Sequence, residues 1–161
     1  MRRIVLAAFA LGVLAACQPT ATELTEVQKG AIADTVRQLA DTYFADARAL
    51  DFDGMMATYA SELVWAENGA LGANRDSLAT AWRGFFAAIR EVTSGNWGEV
   101  HVKVLSPTTA VYTASFDWVA VDTSGAATGS HGVWTAVWEQ TAEGWKIVYG
   151  HESYVPLPAP E

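Results

Sequence analysis

Apolar residues recur every three to five positions along residues 27–50, which predicts one apolar stripe on a long helix. Thr25 and Gln28 have the spacing of a capping box, which places the start of that helix. A short second helix is predicted around residues 55–59, and Asn74 is positioned to cap a third. The apolar face of the third helix consists of Leu78, Trp82, Phe85, Phe86 and Ile89.

The rest of the chain has the apolar runs and turn signals of β-strands. One strand is predicted over residues 63–67, where Asn68-Gly69 forms a turn. The turns between the later runs are short enough for an antiparallel meander. These runs are residues 97–105, 110–122, 128–140 and 145–154. Helices followed by a meander predict an α+β architecture with the helices packed on one face of the sheet.

The last hairpin defines a predicted register if Ala142-Glu143 is a two-residue loop. Trp138 then lies opposite Ile147, and Trp134 lies opposite His151. Opposite charges at Glu139 and Lys146 mark the other face as the solvent side. The inner face of this hairpin is therefore predicted to carry Trp134, Trp138, Ile147, Tyr149 and His151.

The turn at Pro107, taken as a two-residue loop, pairs Leu105 with Ala110. That register turns the following residues inward: Val100, Val102, Val104, Val111, Thr113, Ser115 and Asp117.

The hairpin around Gly125 leaves the position of Asp117 open. A two-residue loop turns Asp117 inward, within reach of His151. A three-residue loop with Gly125 in the left-handed conformation turns Phe116 and Trp118 inward and puts Asp117 beside His131. A slip of one residue exchanges the two faces of a strand, so the alternatives differ for every side chain.

An Asp117–His151 couple in an aromatic pocket would suit proton transfer, because burial and a partner move both pKa values toward the working pH. The alternative is that Asp117 satisfies backbone or serine groups and that His151 is a core histidine.

His101 fits a solvated strand face. Three scattered histidines lack the spacing of zinc ligands, so we expect no metal and no other cofactor.

Seven tryptophans are more than a core of this size needs, and aromatic walls with a few polar groups are typical of a small-molecule pocket. The alternative is that the tryptophans simply fill the interior. The predicted ligand-binding residues are Trp65, Trp82, Phe86, Trp134, Tyr149 and His151.

Charge and surface pattern constrain the partners. The net charge is −8, and no basic patch interleaved with aromatic residues occurs, so we expect no nucleic-acid partner. Val133, Val137 and Val148 fall on the predicted outer face, where a homodimer would cover them.

The first seventeen residues form a secretory signal, with Arg2 and Arg3 before an apolar segment and Leu14-Ala15-Ala16 before Cys17. This pattern resembles bacterial lipoprotein signals. The resemblance implies a signal peptide over residues 1–16 and lipidation of Cys17, the only cysteine. Gln18 after the cysteine implies the outer membrane. We therefore expect a lipid-anchored protein of the bacterial cell envelope that faces the periplasm.

The element order, with Ser61-Glu62-Leu63-Val64-Trp65 and the segment from Gly144 to Ser153, resembles the SnoaL-like or nuclear transport factor 2-like superfamily. The resemblance covers about residues 26–155. It implies a cone-shaped α+β roll, in which three N-terminal helices pack on a strongly bent, mainly antiparallel sheet around a pocket. It also implies dimers. The superfamily contains isomerases, cyclases, dehydratases and noncatalytic assembly domains, so the fold does not choose the function.

We therefore expect a tether over residues 17–24, the roll domain over residues 25–155 and a frayed tail over residues 156–161. The favoured function is binding of a small, largely apolar molecule in an aromatic pocket. One alternative is an isomerase, cyclase or dehydratase that uses Asp117 and His151. The other is a noncatalytic dimerisation or assembly domain.

Overall fold

The computed structural model describes residues 23–157. Its helices are α1 (Glu26–Arg48), α2 (Phe52–Ala57) and α3 (Arg75–Ala88). The capping box at Thr25 and Gln28 is present, as predicted. The side chain of Asn74 accepts a hydrogen bond from the Ser77 N–H at 3.0 Å, so the predicted cap of α3 is also confirmed.

Six strands form one mixed sheet in the order β2-β1-β6-β5-β4-β3. Only the β1–β6 pairing is parallel, so the predicted α+β roll with a mainly antiparallel sheet is confirmed. The strands are β1 (Tyr59–Glu67), β2 (Ala70–Ala73), β3 (Ile89–Ser106), β4 (Thr109–Asp122), β5 (Ala127–Thr141) and β6 (Gly144–Pro156).

The main differences from the prediction are at β2 and at the end of α3. The short strand β2, which pairs with β1, was not predicted. Helix α3 ends at Ala88, and Ile89 begins β3 by pairing with Asp122 of β4, so the helical spacing does not continue past Ala88. Pairing with the edge of β4 overrides the local helical pattern in this segment.

The core lies between the helices and the inner face of the sheet. Helix α1 buries Val36, Tyr43 and Ala47 at the helical spacing that the sequence predicts. Trp138 and Ile147 are fully buried opposite them on the sheet. Burial of these side chains removes apolar surface from water at about 25 cal/mol per Å², which holds α1 on the sheet.

A β-bulge at Val148 changes the register of the last hairpin. Trp138 lies opposite Ile147 as predicted, but Val137 then lies opposite Tyr149. One extra residue on β6 moves every later side chain to the other face. Trp134 therefore lies opposite Glu152, and the predicted pairing of Trp134 with His151 is wrong.

The hairpin of β3 and β4 also has a register shift near its turn. Val104, rather than Leu105, lies opposite Ala110, so the predicted two-residue register is wrong. The inward face of β4 consists of Ala110, Tyr112, Ala114 and Phe116, all buried, instead of Val111, Thr113, Ser115 and Asp117. The prediction that Val100, Val102 and Val104 pack toward the core is confirmed.

The hairpin of β4 and β5 follows the second of the two predicted alternatives. Gly125 has φ +92°, which is the left-handed conformation that a glycine adopts without steric cost. Asp117 lies directly opposite His131, and Phe116 is buried.

The predicted signal peptide, the lipidated Cys17 and most of the tether and tail lie outside the described residues. Within residues 23–157, no helix is both long and apolar enough to cross a bilayer.

Candidate functional site

A cavity of about 420 Å³ lies between α1, α3 and the inner face of β4, β5 and β6. Aromatic rings supply most of its wall. They are Tyr43 and Phe44 from α1, Trp82 and Phe85 from α3, and Trp97, Phe116, Trp118, Trp134 and Tyr154 from the sheet. A cavity of this volume with such walls suits a small organic molecule.

Trp134 forms the floor of the cavity within a stack of four rings. It stacks on Tyr43 with ring centroids 5.0 Å apart and on Trp97 with centroids 5.5 Å apart. Phe44 continues the stack on Trp97 at 4.1 Å. Because Tyr43 and Phe44 belong to α1 and the tryptophans belong to the sheet, this stack fixes the distance between the two layers.

Phe85 and Tyr154 lie at the rim of the cavity, with 41% and 37% of their surfaces exposed. The mouth therefore opens between α3 and the end of β6. On the wall below, Phe116 lies against Gly132, where an added Cβ would come within 2.6 Å of the ring. Glycine at this position lets the phenylalanine lie flat on β5, which leaves the space above it open.

Two carboxyl groups face the cavity side by side. Glu67 on β1 and Glu152 on β6 are direct partners in the parallel pairing, and both line the cavity. Burial raises the pKa of Glu152 to about 8, and the charge of Glu67 adds to this rise. Glu152 is therefore mostly protonated at neutral pH in the unliganded protein.

Tyrosine hydroxyls surround these carboxyl groups. The Tyr154 hydroxyl donates a hydrogen bond to Glu67 Oε1 at 3.0 Å. Burial and the interaction with Glu67 raise the pKa of Tyr154 to about 12. The hydroxyls of Tyr43 and Tyr59 are hydrogen-bonded to each other at 2.9 Å, and burial raises both of their pKa values. These phenols stay neutral and act only as hydrogen-bonding groups near neutral pH.

The indole N–H groups of Trp97 and Trp118 are buried in the wall and have no acceptor within residues 23–157. They are covered by neighbouring atoms, so they do not offer hydrogen bonds at the cavity surface. The polar side chains that line the cavity are the carboxyl groups of Glu67 and Glu152 and the hydroxyls of Tyr43, Thr128, Ser130 and Tyr154.

Of the predicted ligand-binding residues, Trp82 and Trp134 line the cavity. Trp65 lies outside it and donates its indole N–H to Ser77 Oγ at 3.1 Å. Phe86 packs edge-on against Phe52 with ring centroids 5.8 Å apart and is not part of the cavity wall.

Tyr149 and His151 do not face the large cavity. Both are exposed, because the bulge at Val148 turns them to the outer face. His151 borders only a void of about 20 Å³, which is too small for an organic ligand. The expectation that His151 orients a polar group in the aromatic pocket is therefore wrong.

The predicted Asp117–His151 couple is not formed. Asp117 Oδ1 lies 2.8 Å from His131 Nδ1 on the outer face, where about half of each side chain is exposed. On β6, His131 is paired with Val155, four residues beyond His151. At about 3.3 Å per residue, Asp117 and His151 are far beyond hydrogen-bonding distance.

Sequence reasoning missed Glu67, Glu152 and Tyr154. The two residues on β6 have the period-two spacing that continues from Gly150, and this spacing would mark the inner face once the bulge is known. No sequence feature identifies a bulge at Val148, so the alternation alone could not select these residues.

No group of three or more His, Cys, Asp or Glu side chains within residues 23–157 is arranged to hold a metal ion.

Solved structures with this fold are numerous. One is a provisionally assigned scytalone dehydratase from Novosphingobium aromaticivorans, with TM-score 0.76 and 10% identity over 85% of this chain and 93% of the other. Another is a provisionally assigned dehydratase of the nuclear transport factor 2-like family from Streptomyces avermitilis, with TM-score 0.70 and 18% identity over 79% of this chain and 98% of the other. At these identities the likeness shows the fold alone.

A third structure, a provisionally assigned aromatic ring hydroxylase from Novosphingobium aromaticivorans, has TM-score 0.71 and 15% identity over 85% of this chain and 95% of the other. A search of curated proteins finds no match. The family model for the SnoaL-like domain matches residues 36–158, which is most of the chain. The roll with its aromatic cavity and this match together show that the chain belongs to the SnoaL-like domain family.

Proposed function

We propose that this protein binds a small, largely apolar molecule in the aromatic cavity. The observation that carries the proposal is a space of about 420 Å³ that remains open although nine aromatic side chains line it. Rings packed only to fill the interior would close such a space, since protein cores leave few voids larger than a water molecule. The stacked floor at Trp134 keeps the wall rigid, so binding orders few side chains.

A substitution at the mouth of the cavity can test the proposal without changing a core residue. Ala81 is exposed on α3 and also lines the cavity, whereas Ala87 is exposed on the same helix away from it. We expect Ala81→Trp to block the cavity and to weaken binding of 2-naphthalenemethanol at least tenfold. Ala87→Trp should stay within twofold of wild type.

The measurement is isothermal titration calorimetry of the full-length protein against a protein-free blank. Equal affinity in wild type and Ala81→Trp, or no binding to wild type, would contradict the proposal. Native mass spectrometry of freshly purified protein would show whether a natural ligand copurifies.

A second candidate function is proton transfer to a bound carbonyl compound, with Glu152 as the acid or base. The observation that favours it is a pKa raised to about 8 in a carboxyl that faces the cavity. The dehydratase assignments of structural neighbours are compatible with such chemistry. The test is deuterium exchange from D₂O into the carbon next to the carbonyl of 2-tetralone. Catalysis requires exchange above the buffer rate and its loss, about 10²-fold or more, in Glu152→Gln.

We also propose that the protein is anchored by lipid at Cys17 in the bacterial envelope, on the basis of its N-terminal signal pattern and independently of the cavity. Cys17→Ser should release it from the membrane fraction.

A homodimer through the outer sheet face is proposed as well. The support is the outward exposure of Val133 and Val155, at 43% and 61%. Sedimentation analysis should show a dimer that Val133→Lys dissociates, and a monomeric wild type would contradict this assembly.

A further inference from the structure

The aromatic cavity is lined by acidic side chains and by no basic ones. Glu67 and Glu152 are the acidic lining residues, and no Lys, Arg or His is among the residues that line this cavity. As direct partners on neighbouring strands, their Cα atoms are separated by about the 4.8 Å strand spacing. Like charges placed directly opposite each other are destabilising, so ionisation of both carboxyl groups at once is unfavourable while the cavity is empty.

The carboxyl of Glu152 also lacks a protein partner. Glu67 receives a hydrogen bond from Tyr154, whereas no hydrogen-bond donor within residues 23–157 contributes to the pKa of Glu152. Buried carboxylates in proteins are normally paired with a cation or with several donors. A neutral apolar ligand would cover Glu152 without supplying a cation or hydrogen-bond donors.

The aromatic wall favours the same kind of ligand group. Ring faces attract cations, and ammonium groups are well matched to sites that combine several rings with a carboxylate. Since the described residues provide no third metal-ligating group here, an organic cation suits the site better than a bare metal ion.

We propose that the ligand is an apolar amine whose ammonium group binds between Glu152 and Glu67 while its hydrocarbon body packs on the aromatic wall. This inference rests on the proposed binding function and adds the chemical class of the ligand. The ammonium supplies the charge and the hydrogen-bond donors that Glu152 lacks. Binding ionises Glu152, so the carboxyl proton leaves to solvent as the ion pair forms.

Proton release follows from the state of the unliganded site. With a pKa of about 8, Glu152 holds its proton at pH 7, and a bound ammonium favours the carboxylate. The titratable groups that face Glu152 are Glu67, Tyr43, Tyr59 and Tyr154, and the three phenols have raised pKa values. The expected release at pH 7 is therefore close to one proton and comes from Glu152.

The test compares 2-naphthylmethylamine with 2-naphthalenemethanol, which share one ring system and differ in charge. For the full-length protein at pH 7, we expect the amine to bind at least tenfold more tightly than the alcohol. Calorimetry in phosphate and in Tris, whose ionisation enthalpies differ, should show proton release with the amine and none with the alcohol.

Glu152→Gln should reduce the preference for the amine over the alcohol to below twofold and abolish proton release. Glu67→Gln should lower the preference as well, and it replaces Glu152→Gln if that variant does not fold. The matched control is Glu139→Gln, which removes an exposed carboxylate from the outer face and should keep the full preference.

If the alcohol binds and the amine binds no more tightly, the amine inference is overturned and the binding function stands. A loss of preference in Glu139→Gln equal to that in Glu152→Gln would also overturn it, because general attraction by the net charge would then suffice. If neither probe binds, both the inference and the proposed function fail.

Discussion

Glu152 and Asp117 are carboxyl groups on the same sheet, but they face opposite sides of it. Asp117 lies on the outer face, about half exposed, with His131 at 2.8 Å. Glu152 lies on the inner face against the aromatic cavity, and burial raises its pKa to about 8. The outer acid has a histidine partner, and the inner acid has another acid as its neighbour.

The comparison shows that the side of the sheet, rather than the residue pairing, determines which acid is chemically unusual. An aspartate next to a histidine is the more familiar catalytic pattern, yet water screens the pair on the outer face. The inner carboxyl gains its unusual pKa from lost solvation and from Glu67. The bulge at Val148 is responsible, because it turns Glu152 inward and His151 outward.

The largest expected effect is the pH dependence that Glu152 gives to stability. In the unfolded chain its pKa is about 4.5, and in the folded protein it is about 8. Below pH 4.5 the group is protonated in both states and changes nothing. Between pH 4.5 and 8 only the unfolded chain releases the proton, so the free energy of unfolding falls as the pH rises, by up to about 5 kcal/mol in total.

Glu152→Gln removes this penalty, so the variant should be more stable than wild type at pH 8 and similar to it at pH 4. Urea unfolding at both pH values measures the difference. Glu139→Gln on the outer face is the control and should track wild type at both values. Parallel pH profiles for wild type and Glu152→Gln would show that the carboxyl is solvated.

A second prediction compares adjacent residues on opposite faces of β5. Trp134→Ala should destabilise the fold by about 3–5 kcal/mol, because Trp134 is 3% exposed and stacks between Tyr43 and Trp97. Val133→Ala should cost less than about 1 kcal/mol, because Val133 is 43% exposed. Urea unfolding checks both. Similar losses would mean that the outer face is buried as deeply as the inner one.

The sequence predicted the helices well because their signals are local. The capping box at Thr25, the Asn74 cap and the apolar stripe of α1 depend on residues within one or two turns of each other. Fold class followed from the order of elements and from the family resemblance. Strand β2 escaped prediction because its pairing with β1 is a tertiary contact.

The candidate site was predicted only in its general character. Aromatic richness pointed correctly to a cavity, and Trp82 and Trp134 line it. The predicted polar residues were wrong, because the inward and outward alternation counted along β6 from the last turn holds only as far as Ile147. One extra residue reverses every later assignment, and no local signal reveals it.

A third prediction concerns the close approach of Phe116 to β5. In Gly132→Ala the new methyl group would lie 2.6 Å from both the Phe116 ring and the Ser153 carbonyl oxygen. We expect a loss of about 1–3 kcal/mol from overpacking, together with weaker binding as the ring moves into the cavity. Calorimetric melting and titration with 2-naphthalenemethanol check the two effects.

The matched control for that variant is Gly30→Ala on α1, where an added Cβ meets nothing within 4 Å. It should stabilise the protein by about 0.5–1 kcal/mol through helix propensity. A neutral Gly132→Ala would show that β5 yields easily and that the space above Phe116 is not held open by this glycine.

The smallest expected effect belongs to the Asp117–His131 pair. A double-mutant cycle with Asp117→Ala and His131→Ala should give an interaction energy below about 1 kcal/mol that decreases with added salt, since both side chains are about half exposed. Urea unfolding of the four proteins at low and high salt measures it. A salt-independent energy above 2 kcal/mol would mean that another surface covers the pair, as a dimer through the outer face would. In that case the contrast between the two acids would reflect the monomer alone, because the outer carboxyl would also be shielded from water in the assembled protein.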